Sequence, residues 1–423
     1  MTAVDLVIDV RDADGRVPAD LGLEDFTVLE DGEEKQVVGV ELLTGGTVAG
    51  STARRSGLVA PPADAGDDRL DEATWAMVVY VDQVLSSSAS IRRATEMLAS
   101  QAGRMAALGS VEVIVADPQP RQLLPPTRSA RLIEQTLLRL GRETGGRDAI
   151  RQVRRRYFES LRQQLELVGR GQGSASVAAP GGGAGGVGGV QNPVELSRTR
   201  NNTGRVTNTM AHVIEEHRLL IAQQDAMLTW TSAHLGDGPR ALLLVNDGYD
   251  LDPRDFYTVG LQDARIAADL NGRLQDYSSV DRFQEMTQSI AAEGWTCISL
   301  AFGNPGATFA TAAAEVDGKG RMGQIAGGGG QLAGELPTAL ASRPLDPLKN
   351  MADETGGELL TGARAIPAAL ERLGERVRLT YQVARLPDGE VHRVRVVPRD
   401  PSWTVKSPEW SGSPAPQAAA SAR

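Results

Sequence analysis

Four runs of the chain are apolar without alternation: "WAMVVYVD" (75–82), "VEVIVAD" (111–117), "RALLLVND" (240–247) and "WTCISLAF" (295–302). A strand that meets solvent on one face alternates apolar and polar residues. A strand covered on both faces does not. Segments of helical spacing lie between the runs, with apolar residues at 91, 97, 98 and 105, in "SARLIEQTLLRL" (129–140), in "RDAIRQVRRRYFESLRQQLELV" (147–168), near 205–235 and near 279–293. Buried strands alternating with helices predict a mostly parallel sheet with helices on both faces. Asp82 and Asp247 each end one of the runs, and Asp82 is followed at once by "QVLSSSAS".

The ends of the chain read differently. "VDLVIDV" alternates, and "DFTVLEDGEEKQVVGVEL" reads as a hairpin around an Asp-Gly turn. Near the other end, "RLTYQVARL", the turn "PDGE" and "VHRVRVVPR" predict a second hairpin. The expected organisation is therefore an α/β domain over 74–378, inserted in a small β-sandwich built from strands in 1–43 and 379–410. A linker is expected at 44–73 and a disordered tail at 411–423. Flexible Gly-rich insertions are expected near 169–204 and 303–345, since such tracts cannot pack a core.

With 423 residues, 41% of them hydrophobic and 23% charged, the chain can bury at least one large core. The net charge of −10 argues against general nucleic-acid binding, which needs a basic face. No apolar run reaches the roughly 18 residues of a membrane span, and the start shows no secretory leader. The single cysteine, Cys297, lies in an apolar strand and reads as a core residue.

Several segments together resemble the von Willebrand factor A-like bacterial proteins: "VIDVRDADGRVPADLGLEDFTVLEDGEEKQVVGVE", "MVVYVDQVLSS", "GPRALLLVNDGYD" and "MADETGGELL" followed by a helix and "YQV". The resemblance rests on order and spacing and covers most of the chain outside the Gly-rich tracts and the tail. It implies a Rossmann-like domain, a protein partner, no catalytic role and, in many members, export from the cytoplasm. It also implies a Mg²⁺-type adhesion site whose Asp-x-Ser-x-Ser element falls on Asp82, Val84 and Ser86. A further aspartate falls on Asp247, and a threonine on Thr144, with Thr127 as second choice. Valine cannot coordinate a cation, so the implied site is degenerate at Val84.

Other readings stand beside that one. Ser86 to Ser90 can cap the following helix, whose first amides need acceptors; Ser87 or Ser88 could replace the missing ligand only in a rebuilt loop. Asp250, Asp252 and Asp255 beside Asp247 could widen an acidic cation site, and read equally as a solvated loop with Asx turns. The arginines of 151–162 could dock an acidic protein or a phosphate surface, and otherwise read as a solvated helix face. His212 and His217 are five apart, which on a helix turns them roughly 140° from each other and argues against zinc. His234 and His392 are isolated. Three functions remain: a protein-binding module, a metal-independent structural or assembly protein, and a metal-assisted hydrolase using Asp82 and Asp247.

Overall fold

A computed structural model describes residues 2–44, 75–143, 149–173, 193–234, 238–258, 264–303, 344–384 and 390–412. The linker beyond Thr44, the core of both Gly-rich tracts, residues 413–423 and Thr144 lie outside the described residues; Ser411 and Gly412, expected in a disordered tail, instead end a short strand. Strands are β1 (Thr2–Arg11), β2 (Phe26–Glu30), β3 (Glu33–Thr44), β4 (Trp75–Asp82), β5 (Gly109–Asp117), β6 (Gln119–Thr127), β7 (Arg240–Val245), β8 (Trp295–Leu300), β9 (Glu358–Leu360), β10 (Glu375–Val383), β11 (Val391–Pro398), β12 (Thr404–Lys406) and β13 (Trp410–Gly412). The α-helices are α1 (Ser88–Ser100), α2 (Ala102–Leu108), α3 (Ala130–Glu143), α4 (Ala149–Gly173), α5 (Pro193–Ala233), α6 (Arg254–Thr258), α7 (Ala264–Arg273), α8 (Val280–Ala292), α9 (Leu345–Glu354) and α10 (Ile366–Leu373).

The four apolar runs form the middle of a six-stranded sheet ordered β6-β5-β4-β7-β8-β9. The β5-β4-β7-β8-β9 pairs are parallel, and β6 is antiparallel to β5. Within β4 the pleat divides the side chains. Met77, Val79 and Val81 pack with Ile91 and Leu98 of α1 and with Leu370 of α10. Val78 and Tyr80 pack on the other face with Met227 of α5, Met286 of α8 and Met351 of α9. Both faces are thus covered, which is why the sequence shows no alternation there. The strand order reverses between β4 and β7: β5 lies on one side of β4, β7 on the other. In open sheets of this kind ligands and functional groups gather at the carboxyl ends beside such a reversal.

Strand β6 gives no sequence signal, because Pro120, Pro125 and Pro126 read as loop. Proline lacks the donor a central strand needs, and it is tolerated here because β6 is an edge. Helix α5 begins at Pro193, so 193–204 are helical rather than part of the insertion expected near 169–204.

The terminal strands pair as expected, but not into two stacked sheets. They form one curled antiparallel sheet ordered β12-β1-β10-β3-β2-β11-β13, with Leu6, Ile8, Val28, Leu379 and Tyr381 in its core. The β2–β3 hairpin is present, and Asp31 and Gly32 both take positive φ, 53° and 86°, as a tight two-residue turn requires. The expected β10–β11 hairpin is not: β10 pairs with β1 and β3, and β11 with β2 and β13. The β2–β3 hairpin sits between them, so a local turn signal did not identify the partners. The two sheets are tied together where Arg376 on β10, itself buried, donates to the Gly356 carbonyl, and where the Trp410 indole donates to Glu354.

Candidate functional site

The register of β4 against β7 decides which residues meet at the rim. Val81 pairs with Val245, which sets Asp82 beside Asn246 and brings Asp247 just past it. The Asn246 amide donates to Asp82 Oδ2 at 3.0 Å. Asp82 Oδ1 accepts the backbone amides of Val84 at 2.9 Å and Leu85 at 3.1 Å. This closes the turn that leads from β4 into α1. Asp247 Oδ2 accepts the Ser87 amide at 2.9 Å, and its Oδ1 accepts the Gly303 amide at 2.9 Å and the Ser90 hydroxyl. Every oxygen of the two carboxylates therefore has a donor from the chain.

The serines divide the work. Ser87 is the N-cap of α1, its hydroxyl accepting the Ser90 amide at 3.2 Å. Ser86 is fully buried and donates to the Val245 carbonyl at 3.2 Å, pinning the turn to β7. Ser90 is the hydroxyl that reaches Asp247, a contact that the Asp-x-Ser-x-Ser spacing did not indicate. Two glycines make this possible. Gly248 has φ 126°, and a Cβ there would lie 2.7 Å from the Pro344 carbonyl; a Cβ on Gly303 would lie 2.5 Å from the Asp247 carboxylate its amide approaches.

Asp82 is fully buried and Asp247 is 2% exposed. No basic side chain forms a salt bridge with either among the described residues. Burial, with a smaller contribution from the neighbouring Asp247 charge, pushes the Asp82 carboxyl up to about 7 against the lowering effect of its three donors. A carboxyl whose folded value is raised adds stability in acid and loses it as pH rises through that value. The wild type is therefore expected to gain about 1 kcal/mol between pH 8 and pH 6 from this group. Denaturant unfolding of wild type and Asp82→Asn across that range checks it. The difference between the two is the diagnostic, because burial lowers His212 and His217 and so opposes the trend.

Fit to a cation follows from the same geometry. Val84, in the position of a ligand, is buried at 1% exposure and turned into the core with Tyr80 and Leu85. Ser86 is committed to a carbonyl. Thr144 lies outside the described residues, and Thr127 ends edge strand β6, its hydroxyl accepting the Ser129 amide. Among the described residues no group of three or more His, Cys, Asp or Glu is placed to hold a metal ion. The described residues at this rim do not fit an octahedral oxygen cage of the kind Mg²⁺ requires.

A second polar cluster lies at the root of the α4–α5 helix pair. Arg154, 1% exposed, donates from Nε to Glu216 at 3.0 and 3.1 Å and from Nη2 to Asp250 at 2.7 Å. The Tyr257 hydroxyl donates to Glu216 at 2.6 Å, and the Arg154 guanidinium lies over the Phe256 ring at 4.1 Å. Two expectations are corrected here. The Arg-rich helix face is not wholly solvated, and the loop after Asp247 is buried through Asp250, which is 8% exposed. Asx turns do occur in it, at Asn246 and Asp252, where side-chain oxygens accept the amides of Gly248 and Arg254. The Asp255 side chain lies outside the described ones. Burial raises Asp250 to about 6 against the pull of Arg154.

The remaining candidates belong to neither cluster. His212 packs edge-on against Tyr157, and His217 edge-on against Tyr277, without meeting each other in a site. His234 contacts the Trp230 carbonyl and stacks on its ring, and His392 pairs with Asp31. Cys297 is fully buried, and burial pushes its thiol up to about 12. No helix among the described residues is long and apolar enough to cross a membrane. Comparison with family models, curated proteins and solved structures gave no significant match.

Proposed function

We propose that the chain is a non-catalytic protein-binding module of the von Willebrand factor A type, whose switch-point rim is held by hydrogen bonds and works without a metal. One observation carries this reading: all four oxygens of Asp82 and Asp247 are engaged by donors from four separate stretches of chain, 84–85, 87–90, 246 and 303. A cation would compete with those donors, since both Oδ1 atoms already accept two hydrogen bonds and each Oδ2 accepts one, and it would meet a valine in place of a hydroxyl. The resemblance in segment order supports the family part of the reading, and the reversal of strand order between β4 and β7 agrees with a Rossmann-like layout.

The absence of a reactive constellation at the rim supports a binding role over hydrolysis. Among the described residues, no histidine contacts either carboxylate, and Ser86, Ser87 and Ser90 are bonded to groups that hold the turn rather than to a base. The decisive experiment is affinity capture from native cells with and without a chelator. The same bound protein is expected in both arms. A partner retained only with divalent cation would overturn the metal-free reading, and purified protein that turned over hydrolase substrates, with activity lost in Asp247→Ala, would overturn the non-catalytic one.

A further inference from the structure

The sheet face covered by α1 and α3 carries a cluster of arginines at its rim end. Val115 of β5 pairs with Val81 on one side and with Arg121 on the other, so Arg121 stands on the edge strand level with the end of β4. Strand β6 then runs away from the rim, and α3 returns towards it. Helix α1 leaves from the rim itself, where Asp247 holds the Ser87 amide. The two helices share one core through Ile91, Leu98, Ile133 and Leu137. Their approach is closest at Gly141, where a Cβ would lie 2.5 Å from the Thr95 hydroxyl and 3.6 Å from the Arg92 Cα. That crossing sets Arg139 and Arg142, in the last turns of α3, beside Arg92 and Arg93 of α1.

All five arginines are exposed, and none forms a salt bridge with a described residue. Elsewhere the exposed Arg155, Arg156 and Arg273 each pair with a nearby acid. Thr95, the polar group at the crossing, turns its hydroxyl back to the carbonyls of Ile91 and Arg92 in its own helix. The exposed acids on the same turns are Glu96 and Glu143. Arginine is thus in local excess on a chain whose net charge is −10.

We propose that this corner, built from the start of α1, the end of α3 and the start of β6, docks an acidic segment of a protein partner. Guanidinium groups take carboxylates through paired hydrogen bonds, and their spread over two packed helices suits a run of several acids. A nucleic acid fits less well. Helices α1 and α3 and strand β6 contain no aromatic residue on which a base could stack, and the negative charge of the chain as a whole opposes a polyphosphate. The choice of a protein as partner rests on the binding role proposed above; the corner makes no use of the Asp82 and Asp247 carboxylates.

Fluorescence anisotropy of a labelled oligoglutamate against the full chain, at low and at physiological salt, tests it, with a single-stranded oligonucleotide of equal length as the rival ligand. The expected result is binding of oligoglutamate that weakens as salt rises. The affinity should fall about tenfold in Arg92→Glu/Arg139→Glu, as two exposed ion pairs would give. It should be retained in Arg155→Glu/Arg273→Glu, which changes the net charge equally at arginines outside the corner. No binding at low salt, an equal loss in the control pair, or tighter binding of the oligonucleotide would overturn it. Each of those results leaves the metal-free rim standing, and a partner captured only with divalent cation leaves the corner standing, so the two readings fail separately.

Discussion

Replacing Arg154 with alanine is expected to destabilise the protein by about 3–5 kcal/mol, because Glu216 and Asp250 would remain buried without their cation. Arg154 joins α4, α5 and the loop after β7 through one guanidinium, and none of its partners can move to water without opening the α4–α5 root. Chemical denaturation at pH 8 measures the effect. The loss should shrink on acidification, since a raised carboxyl takes up a proton more readily once its cation is gone, and Asp250 already stands near 6 with Arg154 present. A companion variant, Arg154→Met with Glu216→Met and Asp250→Asn, removes the charges together and should recover most of the stability. If Arg154→Ala cost no more than an exposed pair such as Arg155–Glu159, under about 1 kcal/mol, the clamp would be ornamental.

The second large effect belongs to Asp247. Asp247→Ala strands the amides of Ser87 and Gly303 and the hydroxyl of Ser90. Hydrogen bonds to a buried carboxylate contribute about 1.5–3 kcal/mol each, and they do not add fully, so a loss of about 3–5 kcal/mol is expected. Asp247→Asn keeps one acceptor oxygen and should cost less. Both variants also remove the charge that helps raise Asp82, so the acid-side gain in stability should move to lower pH. Urea unfolding measured at several pH values separates the two consequences. An Asp247→Ala protein as stable as wild type would show that the rim bonds contribute little.

The parallel sheet was legible because burial on both faces erases alternation, and that erasure is itself a sequence pattern. The meeting of Asp82 with Asp247 was legible for the same reason: each ends a buried run, and adjacent parallel strands share one rim. The serine assignments were less so. Which hydroxyl reaches Asp247 depends on the angle at which α1 leaves the turn, and that angle is set by Ser87 as cap and by packing of Ile91 and Leu98. The curled sheet was half legible. Five of its strands announced themselves, but the three-residue β12 and β13 did not, and β10 lies between β1 and β3, contacts separated by more than 300 residues along the chain in each case.

Arg154 was hidden by its neighbours. Among Arg155 and Arg156, which are exposed, nothing in the run marks it as the buried member. The available signal lay on the other helix, where polar residues recur seven apart inside an apolar stripe and so must find partners in the core. Strand β6 was masked because prolines tolerated at an edge look like those of a loop.

At the centre of this account stands a rim whose carboxylates are occupied by the protein itself. Titration calorimetry with Mg²⁺, Mn²⁺ and Ca²⁺ at millimolar concentration, on wild type and Asp247→Asn, tests it most directly. The expected result is no saturable heat with any of the three ions. A saturable heat in the wild type that disappears in Asp247→Asn would contradict the account and restore a cation to the site.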